Sequence, residues 1–198
     1  LAGHLLIDDS VYRHQDWGYA AAHVMSPPFR SREHQEALWK GLQSGILQTT
    51  ATDHCCFCAD QKLMGKDDFT KIPNGLPAVG DRLPILWTYG VRAGRITANQ
   101  FVALTSTNPA KIFGLYPRKG ALVPGADADI VIWDAEKKVK YGVACSQHRT
   151  DYNLFEGWEV VGMPEKVFLR GKLIVDGSAW LGESGQGQFL KRGAGEVL

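Results

Sequence analysis

The stretch Ser31-Arg32-Glu33-His34-Gln35-Glu36-Ala37-Leu38-Trp39-Lys40-Gly41-Leu42, then Ser44-Gly45 and Ile46-Leu47-Gln48-Thr49-Thr50-Ala51-Thr52-Asp53-His54, decides the fold class. Ser31 is placed to cap a helix, with His34 where the acid of a capping box would stand. Ala37, Leu38 and Leu42 share helical spacing, and Ser44-Gly45 is a stop signal. Residues 46–52 are rich in β-forming side chains and read as a strand, with Asp53-His54 at its C-terminal end. Upstream, Leu5-Leu6-Ile7 is a short apolar run that stops at Asp8-Asp9-Ser10 and reads as another strand. A loop through Trp17 to Ser26-Pro27-Pro28-Phe29-Arg30 follows it; the adjacent prolines exclude helix and keep the backbone extended. Strand, loop, helix, strand is the repeating unit of a parallel α/β structure. In a TIM barrel the chemistry sits at the C-terminal ends of strands, which is where Asp53 stands.

Downstream, residues 55–80 read as a long loop punctuated by Gly65, Pro73, Gly75, Pro77 and Gly80, and a loop of that length is usually functional or mobile. Asp81 is placed to cap a helix from Arg82 to about Gly90, with Pro84 in its first turn. Thr97 caps another from Ala98 to about Thr105, and Asn108 to Gly114 gives a third, short helix with a glycine stop. The pattern changes near Pro117. Residues 120–129 are turn-rich, Ile130-Val131-Ile132-Trp133 is a strand, and residues 166–177 read as a β-hairpin turning at Arg170-Gly171. The glycine-rich end, residues 182–198, reads as an arm that docks on a neighbour or frays.

Of 198 residues, 44% are hydrophobic and 22% charged, which is ordinary globular composition. With 22 basic and 21 acidic residues the net charge is +1, so nothing calls for a nucleic-acid or acidic-membrane partner. No apolar run approaches the roughly 20 residues that span a bilayer. The opening residues lack a basic leader and a cleavage pattern. The chain also starts without Met and in mid-strand, so it reads as a fragment or a processed piece. Cys55, Cys56 and Cys58 crowd together while Cys145 stands alone; this is no disulfide framework and fits a reducing cytoplasm. A Cys-x-Cys pair beside a histidine suggests zinc, but no second cluster completes a four-ligand site.

Two features are candidates for chemistry. The carboxylate and imidazole of Asp53-His54 suit metal ligation or acid–base work, although neighbours on a strand point to opposite faces, so one of them faces a site. The plainer reading of Asp53 is a cap on the following loop. Ser26-Pro27-Pro28 and Pro73-Asn74-Gly75 are rigid segments able to present backbone groups to a ligand at small entropic cost, or they are simple turns. His4, His14, His23, His34 and His148 are scattered without ligand spacing and read as surface or packing residues, as the six tryptophans do.

Taken in order, Ser26-Pro27-Pro28-Phe29-Arg30, Ala51-Thr52-Asp53-His54-Cys55, Gln61-Lys62 and Asp68-Phe69-Thr70-Lys71-Ile72-Pro73-Asn74-Gly75 resemble signature segments of the dihydropyrimidinase and D-hydantoinase family. So do residues 105–111, Pro117-Arg118-Lys119-Gly120, residues 125–129, and Asp151-Tyr152-Asn153 with Phe155-Glu156-Gly157. The resemblance covers essentially the whole chain. It implies an α/β fold: the C-terminal portion of an amidohydrolase TIM barrel (residues 1–118), part of a small β-sandwich (119–178) and a C-terminal arm (179–198). It implies hydrolytic ring opening of a cyclic amide, a dihydropyrimidine such as dihydrouracil or a hydantoin, by a hydroxide bridging two divalent metals, usually zinc. The metals would be held by histidines, a carbamylated lysine and one aspartate, which falls on Asp53, also the proton shuttle. Backbone groups at Ser26 and Asn74 would hold the ring amide. A homotetramer with the arm at a subunit contact is implied too.

The H-x-H pair, the lysine and the remaining histidine ligands belong to earlier barrel strands, so the isolated chain is expected to be inactive. Gly80 stands where the family usually has a glutamate, which bears on the local loop and on an Arg82 ion pair. Non-catalytic relatives, the collapsin-response-mediator scaffold proteins, provide the competing reading of an assembly protein. They typically lack the aspartate and replace Pro-Asn-Gly by Pro-Glu-Gly, and both positions here keep the enzyme type at Asp53 and Asn74.

Overall fold

Helix formation begins where the sequence says it should, but a different face is turned inward. In the computed structural model, which describes residues 1–198, Arg32–Gln43 is a helix. Its inner face is Gln35, Trp39 and Leu42, at i, i+4 and i+7, whereas Ala37 is exposed. Trp39 is 2% exposed, and its indole N–H donates to the Leu5 carbonyl at 3.1 Å. Ser31 makes no capping bond; its hydroxyl goes to the Glu33 carboxylate instead.

The chain divides into two compact units. The first comprises Leu1–Leu86 and Val139–Val160. It contains α1 (Trp17–Ala22), α2 (Arg32–Gln43), α3 (Ala59–Leu63) and α4 (Arg82–Leu86), with 3-10 turns at Gly3–Leu5 and Asp9–Arg13 before α1, at Phe69–Lys71 between α3 and α4, and at Val143–Cys145. Leu5, Ile7, Phe29, Trp39 and Leu42 are all buried in it. Burying an aliphatic or phenyl side chain of this size contributes about 1.5–3 kcal/mol.

Two expected strands of this unit are not strands. Gly3–Leu5 is a 3-10 turn, and the amides of Leu6 and Ile7 both return to the Gly3 carbonyl. A three-residue apolar run carries no periodicity, so the local bonds decide. Residues 46–52 have no ladder partner; the pairing begins at His54, which bridges Leu76 in parallel. β-propensity expresses fit to a pleated surface, and without a neighbouring strand it produces no ladder. Two loops are also more structured than expected. The 8–26 segment contains α1 and a 3-10 turn at Asp9–Arg13, capped by Asp16 and Asp8 respectively. The 55–80 segment contains α3, whose Gln61 side chain accepts from the Cys58 amide at 2.7 Å.

The second unit comprises Trp87–Lys138 and Val161–Leu198. Its helical part is a π-turn at Trp87–Arg92, where the helix expected to run from Arg82 to about Gly90 changes form, then α5 (Ala98–Val102), started by a capping box of Thr97 and Gln100, and α6 (Asn108–Ile112), the last two joined by a π-turn at Ala103–Thr107. The chain leaves α6 through Gly114 at φ 67°, as its stop signal requires. Trp87, Phe101 and Trp133 meet at centroid distances of 5.2–5.7 Å. A sheet runs β1 (Ile130–Lys140), β2 (Glu159–Leu169), β3 (Lys172–Asp176), β4 (Ala179–Trp180) in that order, β2–β3 and β3–β4 being antiparallel.

The hairpin turns at the expected pair. Arg170 (φ 47°) and Gly171 (φ 80°) are both left-handed, the signature of a type I′ turn. Asp129 accepts from the Arg170 amide at 2.8 Å, and Lys119 binds both Asp127 and Asp129, so the 117–120 and 125–129 segments are tied together. Residues 182–198 form neither helix nor strand. They return to the end of α6, Gly193 N–H to Gly114 O at 2.8 Å and Glu196 N–H to Lys111 O at 3.0 Å.

Candidate active site

The candidate residues all lie in the first unit. Two segments far apart in sequence are laid side by side there. The Gly75 amide donates to the Val24 carbonyl at 3.1 Å, and the Ser26 hydroxyl donates to Asn74 Oδ1 at 3.1 Å. Ser26 and Asn74 are both exposed. Their side chains are engaged with each other, and their main-chain groups lie beside that link.

Lys62 holds the same two segments from beneath. It is 1% exposed, and its ammonium donates to Val24 O (2.9 Å), Pro73 O (2.5 Å) and Gly75 O (2.8 Å). The last two flank Asn74, and the first lies two residues before Ser26. The nitrogen also lies 5.6 Å from the centroid of the Phe57 ring. Burial without a counter-ion pushes this lysine down to about 8, with Cys55 opposing the shift. The family resemblance includes Gln61-Lys62, but the residues alone do not predict its burial, because a lysine in a polar loop normally reads as solvated.

Asp53 joins the pair through the parallel contact of its neighbours. His54 bridges Leu76, and the Cys55 amide donates to Leu76 O at 3.1 Å. Gly75 makes the close approach possible: at φ 145°, a Cβ there would lie 2.2 Å from the Cys55 carbonyl oxygen. Asp53 itself is exposed and left-handed, φ 50°. Non-glycine residues rarely adopt that conformation, Asp more readily than most, and such outliers gather at functional sites. The His54 ring is engaged elsewhere, Nδ1 accepting from the amides of Ala78 (3.0 Å) and Val79 (3.2 Å). His4, whose Nε2 is bonded to Pro27 O at 3.0 Å, lies within electrostatic reach of Asp53. Burial lowers the His4 pKa, against the opposing pull of the Pro27 carbonyl and Asp53.

Near His54 lies a buried polar group. Asp81 is 0% exposed; its Oδ1 accepts from the Tyr141 hydroxyl at 3.0 Å and the Asn153 amide at 3.1 Å, while Oδ2 has no partner. Asp81 thus serves Tyr141 and Asn153 with its side chain, not the helix start expected of it. Desolvation raises its pKa, against those two donors and the nearby His148 and His54. Gly80 offers its carbonyl to the Tyr141 hydroxyl at 3.1 Å, and Arg82 donates to Thr50 O at 2.7 Å, so Arg82 is anchored with no acid at position 80.

The four cysteines are free. Cys58, Asp60 and Asp151 come within 4.8 Å of one another, but Asp151 already accepts from the Ala59 amide at the start of α3. Asp53 is not in that group. As an exposed carboxylate it fits a divalent cation as one hard oxygen ligand, whereas a catalytic site takes about three protein ligands.

Comparison with known proteins gives the chain its relatives. The amidohydrolase family model matches residues 5–174. The D-hydantoinase of Geobacillus stearothermophilus is 45% identical over 188 residues, 94% of this chain and 40% of that protein. The dihydropyrimidinase of Rattus norvegicus is 42% identical over 193 residues, 97% of this chain and 37% of that protein. The structure of D-hydantoinase from Bacillus sp. AR9 superimposes with a TM-score of 0.95 at 46% identity, over 98% of this chain and 42% of that one. The chain therefore spans about two fifths of the length of these relatives.

Proposed function

The chain belongs to the amidohydrolase family, with D-hydantoinases and dihydropyrimidinases as its relatives, and from that premise we propose that the longer protein carrying it opens cyclic amides by hydrolysis. The substrate is a 5,6-dihydropyrimidine or a hydantoin, and the product an N-carbamoyl amino acid. Water adds to the ring carbonyl, the ring C–N bond breaks, and a proton passes to the departing nitrogen. The observation that carries this reading is the Ser26–Asn74 link beside a left-handed, exposed Asp53.

In this reading the main-chain groups at Ser26 and Asn74 hold the ring amide, whose N–H and C=O need one acceptor and one donor. Their side chains, bonded to each other, fix the spacing. Asp53 takes the proton from the attacking water and delivers it to the ring nitrogen. Family membership implies divalent metal ions; we propose two, zinc, with Asp53 as one ligand and a carbamylated lysine and histidines from outside this chain as the others. The chemistry supplied there is a more acidic water and a polarised carbonyl. By itself the 198-residue chain, with one such ligand, turns nothing over.

We place residues 1–118 in a TIM barrel, 119–178 in a β-sandwich and 179–198 in an arm at a subunit contact of a homotetramer. We place the protein in the cytoplasm, a reading supported by four free cysteines. The deciding experiment is Asp53→Ala in the full-length protein. Loss of dihydrouracil and hydantoin hydrolysis together with lowered metal content is expected; retention of both would remove Asp53 from its role.

A further inference from the structure

We infer that Lys62 is a positioning residue for substrate: its ammonium fixes the two main-chain segments that present Ser26 and Asn74, and so sets how tightly the ring amide is held. This rests on the reading of Ser26 and Asn74 given above.

The argument is one of donor counting. A protonated lysine has three N–H donors, and three carbonyls receive them: Val24, Pro73 and Gly75. Val24 belongs to the Ser26 segment, and Pro73 and Gly75 bracket Asn74. The two segments are also joined directly, by the Ser26–Asn74 bond and by the Gly75 amide to Val24 O, but Lys62 alone bonds three of their carbonyls. The arrangement is also costly, because no carboxylate accompanies the buried charge. A lysine needed only to fill space would be better replaced by an apolar residue, as buried charges generally are. What the ammonium supplies that a methionine cannot is a common anchor for three carbonyls on two loops. It leaves the Asn74 carbonyl, between its two neighbours, out of that set.

The anchor depends on charge. A neutral amine has two N–H donors and a lone pair, so on deprotonation one carbonyl faces a lone pair and the clamp opens. The titratable groups that act on this charge are Cys55, preceding α3, and His23, at the end of α1, whose own pKa is lowered chiefly by burial and in part by Lys62. Since burial brings Lys62 to about 8, opening falls in an accessible range.

The experiment uses the full-length enzyme, wild type and Lys62→Met, between about pH 7 and about pH 9.5, a range that brackets the shifted lysine. At the lower pH the variant is expected to raise KM about tenfold while kcat changes less than about threefold. In wild type, KM rises through the range; in the variant it is flat. An unchanged KM in the variant, or identical pH profiles, overturns the inference. Should the variant fail to fold, wild type decides: the protection factor of the Gly75 amide, bonded to Val24 O, falls across the range if Lys62 is the anchor, and constancy overturns it. That readout needs no turnover. An enzyme that hydrolyses no cyclic amide sinks the functional reading, while Gly75 protection still judges Lys62.

Discussion

The Ser26 hydroxyl reaches Asn74 Oδ1 across 3.1 Å of space and 48 residues of sequence. Together with the Gly75–Val24 backbone bond and the Lys62 ammonium, this bond makes one edge of two separate loops. Both residues are exposed, so the bond contributes modestly to stability, about 1 kcal/mol at most. Its larger effect is on spacing.

Replacing Ser26 by alanine therefore separates binding from folding. The backbone at position 26 keeps its groups, and the spacing to Asn74 is then held only by Lys62 and the Gly75–Val24 bond, behind the edge. We expect Ser26→Ala to raise KM several-fold, roughly three- to tenfold, with little change in kcat and an unfolding free energy within about 1 kcal/mol of wild type. Steady-state kinetics and a urea titration check it. A KM equal to wild type would show that the bond does not set the spacing.

Gly75 tolerates no side chain. A Cβ would meet the Cys55 carbonyl at 2.2 Å, and the φ of 145° is itself unsuited to an L-residue. The obstacle is main chain, which cannot swing away. Gly75→Ala is expected to cost about 2–4 kcal/mol and to push the Asp53–Cys55 segment off Leu76. Urea unfolding reads the first effect. Loss of amide-exchange protection at Cys55, which donates to Leu76, reads the second.

Asp81 gives a pH dependence whose sign follows from its raised pKa. In the unfolded chain the carboxyl ionises near its ordinary value of 3.8; in the folded protein it holds its proton to higher pH. The folded state binds more protons in that window, so the stability contributed by Asp81 is fully present below the ordinary value. It is lost as pH rises toward the folded value. Asp81→Asn removes this titration. The difference in unfolding free energy, wild type minus variant, should fall as pH rises above about 4. Denaturant titrations at several pH values test this, and a difference that rises or stays flat would contradict it.

Sequence reading reached the parts governed by local rules. Arg170-Gly171 was legible because two left-handed residues are what a two-residue hairpin demands, and the Thr97 start because a capping box is complete within four residues. Asp53, Ser26 and Asn74 were legible as candidates from loop chemistry and family resemblance. What escaped depends on partners distant in sequence. Residues 46–52 have β-forming side chains but no ladder, and Leu5 to Ile7 closes its bonds on Gly3. Trp39, not Ala37, faces inward because its partner carbonyl is Leu5. Lys62 stood in a segment that resembles the family, but its clamp was not legible, because its three acceptors lie 38, 11 and 13 residues away and are all main chain.

The two amides that His54 Nδ1 receives have a consequence for its neighbour. They stop the imidazole from rotating, and with the Cys55–Leu76 bond they immobilise the peptide on the far side of Asp53. The exposed carboxylate is thus mounted on backbone that cannot turn. It behaves as a fixed post, with only its own two torsions left to freeze when a ligand arrives. Most of the ordering entropy of such an encounter is spent during folding, so in the proposed reading a cation meets a carboxylate better prepared than one exposed aspartate on a free loop.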